Sequence, residues 1–384
     1  MSTYARLPVS FEKGLGAYLF DTDGEKYLDA LSGIAVCSLG HAHPDIADAI
    51  ADQARTLIHT SNLYGIPHQE ELGQRLCKLS DMDKVFFGNS GAEANEAAIK
   101  MARLYGKSQG IETTNIIVAS DSFHGRTLAT LSATGSRKVQ AGFSPLVSGF
   151  VRVDYNDIDA IRQAAENNSD IVAILVEPVQ GEAGVIVPDR DYLENIRQIC
   201  DDNNWLMMLD EVQTGMCRTG QWFAFQHTKI KPDVMTLAKA LGNGVPIGAC
   251  LASGKATDIF TPGTHGSTFG GNPLATRAAL SVIDIMDKKN IKANAKNMGG
   301  YMLDQFQEEL KDLDIVANIR GLGLMIGIEL KKDCPELVNL ALDNHLLINV
   351  TAGKTIRLLP PLILEKDQAD TIVQTISALI KTLN

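Results

Sequence analysis

Three segments of the chain place chemically capable side chains where apolar runs stop. In "DVMTLAKALGNGVPIGA" a single lysine, Lys239, follows a short apolar stretch and precedes a glycine-punctuated turn. Lysine is almost never buried unpaired. Lys239 therefore meets an acid, reaches the surface, or is bonded to a carbonyl group that is not protein. In the last case burial lowers its pKa, which suits a nucleophile and a proton shuttle. In "WLMMLDEVQTG" Asp210 ends an apolar run. It reads as a helix cap, a metal ligand, or the counter-ion of a buried cationic ring nitrogen, and Glu211 beside it reads as an ordinary solvated acid. In "VFFGNSGAEANEAA" Asn89, Ser90, Gly91 and Ala92 lead from a strand straight into a helix. Small residues leave the backbone N–H groups open, and the helix dipole favours an anion there. Ser90 with Glu93 also fits a capping box. No Walker lysine follows, which argues against a nucleotide P-loop.

Each segment has a purely structural reading by itself. Taken together, a phosphate cradle, a buried carboxylate and a lysine are the parts needed to hold pyridoxal phosphate. The lysine bonds the aldehyde, the aspartate keeps the pyridine nitrogen protonated, and the cradle anchors the phosphate.

The elements that must position these groups are legible in the periodicity. "AYLFD" and "KYLDAL" flank "TDGE", a hairpin signal. From Pro44 onward helical patterns such as "PDIADAIADQARTL" and "HQEELGQRLCKL" alternate with strand-like runs: "VFFG", "NIIVAS", "FVRVDY", "DIVAILVE", "WLMMLDE" and "DVMTLA". Continuous apolar strands alternating with helices imply an α/β fold, a mostly parallel sheet covered on both faces. Ligands of such sheets bind beyond the carboxyl ends of the strands, where the three segments lie. A long helical stretch from about Pro273 to Leu310 then leads into "NIRGLGLMIGIEL", "PELVNLALDNHL", "LLINV", "TIRLLPPLIL" and a final amphipathic helix. This predicts an N-terminal segment 1–45 joining a small α+β domain, a large domain 46–272, and a C-terminal part 273–384.

The chain has 384 residues and a net charge of −11. Such an acidic protein is a poor non-specific ligand for nucleic acid or anionic membrane. Its apolar runs are too short to span a bilayer, and no signal-peptide pattern opens it. Six cysteines, widely spaced and without a C-x-x-C pair, fit free thiols in the cytoplasm. His41 and His43 in "GHAHP" have metal-ligand spacing but no third ligand, so loop packing is expected and no metal. "RGLGLMIGIEL" lacks a full G-x-G-x-x-G opening a helix, so no dinucleotide site is expected. Cys217 and Cys250 read as small packing residues.

The motifs "FFGNSGAEANEAAIKMAR", "SFHGRTLATLSATG", "LVEPVQGEAGV", "LDEVQTGMCRTG", "TLAKALGNGVPIGA" and "HGSTFGGNP" occur in that order. In them the chain resembles the class III (ω-amino-acid) aminotransferases among fold-type-I pyridoxal phosphate enzymes, over nearly its whole length. The "FHG" at 123–125 favours the acetylornithine branch of that family. The resemblance implies that Lys239 bonds the cofactor and that Asp210 pairs with the pyridine nitrogen. It assigns the cofactor site to Ser90, Gly91, Ala92, Phe123, Asp210, Glu211, Val212, Gln213, Lys239 and Thr268. It gives the substrate Arg126, Glu182, Ser267 and Arg357, with Glu182 covering Arg357 when no α-carboxylate needs it. Ser267 and Thr268 would come from the neighbouring subunit of a homodimer with shared active sites. The implied partners are small molecules: acetylornithine, 2-oxoglutarate and glutamate. Ala183, Cys217, Ala240 and Asn243 depart from the commonest family pattern without replacing a catalytic group. Alternative readings are another ω-amine donor (ornithine, succinylornithine, 4-aminobutyrate, lysine or succinyldiaminopimelate), a mutase or decarboxylase, and a non-catalytic binding protein.

Overall fold

The computed structural model describes residues 1–383. Its centre is a seven-stranded sheet in the spatial order Lys84–Gly88, Gly248–Ala252, Val234–Leu237, Leu206–Asp210, Ile171–Val176, Asn115–Ala119 and Phe150–Val153. Six of these strands run parallel. Gly248–Ala252 pairs antiparallel with both of its neighbours. No local pattern announces that strand, because "GACLA" carries none of the β-branched or aromatic residues that mark strands.

Both faces of the sheet are covered. Every residue of Ile171–Val176 and of Leu206–Asp210 is buried. Alternate side chains go to opposite sides. Ile117, Ile174, Met207, Leu209 and Leu237 join the core that includes Ile196 and Ile199 of helix Tyr192–Asp202. Ile116, Val118, Leu175, Leu206 and Met208 pack under Ala97, Met101 and Tyr105 of helix Gly91–Ser108. The period-two placement is thus present although the sequence shows only unbroken apolar runs.

The N-terminal hairpin is a three-stranded meander, Phe11–Leu15, Tyr18–Asp21 and Lys26–Asp29, and Leu346–Leu347 joins its edge in parallel. A second antiparallel sheet orders Val316–Leu322, Met325–Leu330, Thr355–Leu358 and Asn349–Thr351. The long helical stretch is two helices, Pro273–Lys288 and Ile291–Leu310. The break falls at Asn290, which takes a left-handed φ of 48°, a conformation asparagine tolerates better than most residues.

The two histidines of "GHAHP" diverge. His41 Nε2 bonds Asp29 Oδ2 at 2.8 Å, whereas His43 sits just before helix Pro44–Thr56. Cys217 and Cys250 are buried. Among the described residues, no helix is long and apolar enough to cross a membrane.

Candidate active site

The three segments singled out in the sequence converge. Strands Lys84–Gly88, Leu206–Asp210 and Val234–Leu237 are parallel members of one sheet, and the residues at their carboxyl ends line one cavity of ≈ 390 Å³. Ser90, Gly91, Ala92, Phe123, Asp210, Val212, Gln213, Lys239, Arg126 and Glu182 all contribute to its wall.

Lys239 sits at the start of a tight turn after strand Val234–Leu237. Its φ is +44°, which is uncommon for a side chain of this size and is the kind of local strain that collects at functional sites. Burial pushes its pKa below the ordinary lysine value, with Glu182 opposing the shift. The turn is fastened to the N-terminal segment by Asn243, whose side chain accepts from Leu39 N at 2.7 Å and donates to Gly40 O at 3.1 Å.

Asp210 is 4% exposed and held by several donors. Its Oδ2 accepts from Asn95 Nδ2 at 2.7 Å and His124 Nδ1 at 2.8 Å, and its Oδ1 accepts from Val212 N at 3.0 Å. Asn95 is itself fixed by Thr236 Oγ1, which donates to Asn95 Oδ1 at 2.7 Å. The bond to Val212 is a local turn contact of the capping kind. The side-chain donors go beyond what a cap needs, and they satisfy the oxygens of a buried carboxyl group.

The cradle is the start of helix Gly91–Ser108. Ser90 Oγ accepts from Glu93 N at 3.2 Å. Glu93 reaches back to Asn89 N at 2.8 Å, one residue earlier than the expected capping box requires. The amides of Gly91 and Ala92 lie in the first turn, where an α-helix offers them no internal acceptor. A Cβ on Gly91 would come within 2.8 Å of Val212, so this close approach of helix and loop requires glycine.

Glu182, in the cavity wall, is paired with Arg357, which is not itself part of that wall. Arg357, fully buried, donates from Nη1 to Glu182 Oε1 at 2.7 Å and from Nε to Asn349 Oδ1 at 3.2 Å. Burial opposes ionisation of Glu182, yet Arg357, Lys239 and Arg126 hold its carboxyl below the usual range. Arg126 is exposed, with its guanidinium 5.6 Å from the centre of the Phe123 ring.

Three expected site residues lie elsewhere. Glu211 is neither solvated nor part of the cavity wall. It is buried, and its carboxylate accepts from Ala224 N, Phe225 N and Thr214 Oγ1. Strand alternation turns it away from Asp210 to the other side of the sheet, and burial raises its pKa to about 7. Ser267 and Thr268 line a separate depression beside Asn89 and Glu93, and Thr268 is exposed. Four residues of the site carry no role in the sequence analysis. Asn95, His124 and Thr236 support Asp210, and Glu177, buried in the cavity wall, accepts from Phe123 N at 2.9 Å and Gly181 N at 3.1 Å. Burial raises the Glu177 pKa to about 7, against the pull of His124. The visible signal for Asn95 was an asparagine inside an alanine-rich helix, where it is disfavoured.

The aminotransferase class-III family pattern matches residues 2–380. The chain belongs to the class-III aminotransferases. It is 59% identical over 380 residues to the acetylornithine aminotransferase of Nitrosomonas europaea, covering 99% of this chain and 97% of that one. Among solved structures, it superimposes with a TM-score of 0.88 and 35% identity on an acetylornithine aminotransferase from Elizabethkingia anophelis, over 100% and 96% of the two chains. An ornithine aminotransferase from Toxoplasma gondii, described with pyridoxal phosphate at its active site, gives 0.94 and 32% over 98% and 92%.

Pyridoxal phosphate is the cofactor of this aminotransferase, and the residues present fit it. Buried polar atoms at the site, Gln213 Oε1, His124 Nε2 and Arg357 Nη2, have no partner among the described residues. The free amides at Gly91 and Ala92 suit a phosphate, Asp210 suits a pyridinium, and Lys239 suits an aldehyde.

Proposed function

We propose that this aminotransferase moves the terminal amino group of N2-acetyl-L-ornithine to 2-oxoglutarate, giving N-acetylglutamate 5-semialdehyde and glutamate, in arginine biosynthesis. The observation that carries the reading is the pair Arg357–Glu182, a buried guanidinium whose carboxylate partner is 37% exposed at the cavity. The two substrates present their carboxylates differently. 2-Oxoglutarate has one beside the reacting carbon, whereas acetylornithine keeps its own at the far end. Glu182 covers Arg357 for the amine donor and releases it to the α-carboxylate of the acceptor, which a bidentate arginine suits. Arg126 takes the remaining carboxylate, and acetylation of the donor's α-amine removes a positive charge that would lie near it.

When bound, the cofactor supplies the carbonyl that takes up the amine and the protonated ring that draws an electron pair from the reacting carbon. Lys239, its pKa lowered by burial, carries the proton between carbon atoms. Asp210 pairs with the ring nitrogen, its oxygens oriented by bonds from Asn95, His124 and Val212. Phe123 covers the ring face. Gln213 supplies a hydrogen bond from the side, and Ser90, Gly91 and Ala92 hold the phosphate.

The active site is shared between two copies of the chain. Thr268 of one copy completes the cradle of the other, which accounts for its exposure outside its own cavity. The exposed apolar residues Phe269, Leu63 and Tyr64, at 60%, 86% and 69%, support a covered face here. The small domain, 273–384 with 1–45, contributes Arg357, and the large domain, 46–272, carries the cofactor. Free cysteines suit action in the cytoplasm.

A donor panel with 2-oxoglutarate as acceptor tests the reading. N-acetylornithine is expected to exceed ornithine and 4-aminobutyrate in kcat/KM. A preference for free ornithine would refute the assigned donor.

A further inference from the structure

The two ends of the cavity are carried by segments far apart in sequence, and one buried guanidinium joins them. Arg218 is 1% exposed. Its Nη1 donates to Leu324 O at 2.9 Å and to Pro360 O at 2.6 Å, and its Nη2 donates to Ser38 Oγ at 3.0 Å. The backbone repeats the link, since Leu324 N donates to Arg218 O at 3.0 Å. Among the described residues Nε has no partner. Burial pushes the guanidinium pKa down to about 9, with Asp29 opposing the shift, so it remains a cation at neutral pH. A buried cation held by neutral acceptors alone is costly, and an apolar residue of similar volume would avoid that cost.

The three acceptors show what the cation holds. Pro360 follows strand Thr355–Leu358, which carries Arg357. Leu324 lies in the turn between Val316–Leu322 and Met325–Leu330, and the second of these strands pairs Gly327 with Arg357. Ser38 follows Val36, which lines the cavity, and Ser38 O accepts from Leu362 N at 2.6 Å. Arg218 itself belongs to the segment that runs on from Asp210 and Gln213. Gly323 packs directly on that segment, because a Cβ there would lie 2.6 Å from Arg218 O.

We propose that Arg218 is a positioning residue for the substrate carboxylate, pinning the strand of Arg357 and the loop of Val36 to the segment that carries Asp210 and Gln213. The proposal rests on the reading of Arg357 as the carboxylate anchor. Arg218 touches neither substrate nor cofactor. It fixes the distance between the atom that reacts and the group that holds the carboxylate next to it, and small errors in that distance are expensive.

The test uses purified holoenzyme carrying Arg218→Met, Arg218→Lys or Ser38→Ala. Arg218→Met is expected to load pyridoxal phosphate as the parent does, read by absorbance, while kcat/KM for 2-oxoglutarate falls about tenfold to 100-fold. Lysine offers one ammonium for acceptors on three segments and should fall between parent and methionine. Loss of the Ser38 hydroxyl should give a smaller fall of the same kind. Amide hydrogen exchange should quicken at Leu324 and Leu362 and stay unchanged along 206–210. A lowered melting temperature with kcat/KM within about twofold of the parent, below what misplacement costs, would overturn the proposal and leave Arg218 a structural residue. If the methionine variant does not fold, the lysine and Ser38 variants decide by the same criteria. Arg357→Met in the parent background separates the two readings. Unchanged use of 2-oxoglutarate there would refute the anchor, and exchange at Leu324 and Leu362 would then judge the pin alone.

Discussion

The two ends of the active site are built on opposite principles. At the cofactor end Asp210 is 4% exposed, and its two oxygens accept three hydrogen bonds, one of them from an asparagine that is itself bonded to Thr236. At the carboxylate end Arg357 is equally buried, yet one Nη has no partner among the described residues and its acid is over a third exposed. A buried carboxylate bonded at both oxygens is held rigidly, even though His124 Nε2 beside it has no partner among the described residues, and removing a donor strands its charge. A half-exposed carboxylate can leave its partner when another carboxylate arrives. On the proposed function, the chemistry that both half-reactions share would sit on the rigid end, and the recognition that differs between them on the end that can rearrange.

The rigid end should fail outright when broken. Lys239→Ala is expected to lose roughly 10³-fold or more in turnover, because the proton carrier is gone. Borohydride reduction of the parent followed by peptide mapping should find the pyridoxyl group on Lys239, and a label on another lysine would refute the assignment. Asp210→Asn should cost roughly 10²–10³-fold in kcat, the scale of losing a preorganised charge at the reacting centre. It should also weaken cofactor retention on dialysis, and unchanged turnover would reduce Asp210 to a local turn contact.

The support behind Asp210 should matter less for chemistry and more for stability. Asn95→Ala leaves the Thr236 hydroxyl without its acceptor and removes one of the two donors to Asp210 Oδ2, which costs about 1–3 kcal/mol. A denaturant titration reads this directly, and a midpoint equal to that of the parent would show that the network is not cooperative. At the flexible end the smallest total effect, and the most asymmetric, is expected from Glu182→Ala. Uncovering Arg357 should favour the glutamate half-reaction and penalise the acetylornithine one by several-fold in single turnover, and equal effects on both would rule out the exchange of partners.

A pH experiment sharpens the same contrast. The Glu182 pKa is held below its ordinary value, so the pair persists above the unfolded-state value and is lost only as pH falls through the lower folded-state value. Mild acidification should therefore leave Arg357 covered. A rise in affinity for 2-oxoglutarate as soon as pH enters the ordinary carboxylate range would contradict this.

Much of the α/β fold was legible because apolar runs such as "IVAILV" and helical patterns such as that of Tyr192–Asp202 report burial directly. Strand Gly248–Ala252 was not legible, since its small residues are admitted by close packing and not by propensity. Its first residue, Gly248, shows this, because a Cβ there would lie 2.2 Å from Ser90 O. The break at Asn290 was missed because both helices keep an apolar face and one polar residue in a left-handed conformation interrupts them.

In the candidate site, the sequence by itself determined the chemical types: a lysine, an aspartate and a small-residue helix start, each at the end of an apolar run, where a parallel sheet must expose them. Residue type and local spacing carry that information. Only the tertiary structure decided which side each neighbour faces. Asp210 and Glu211 are adjacent acids in one motif. One lines the cavity, and the other is turned away to bond Ala224, Phe225 and Thr214. The joining of Asn95, His124, Asp210 and Thr236, and of Arg218 to Ser38, Leu324 and Pro360, likewise depends on contacts between residues far apart in the chain. Such contacts form when packed elements meet, and no local pattern in the sequence records them.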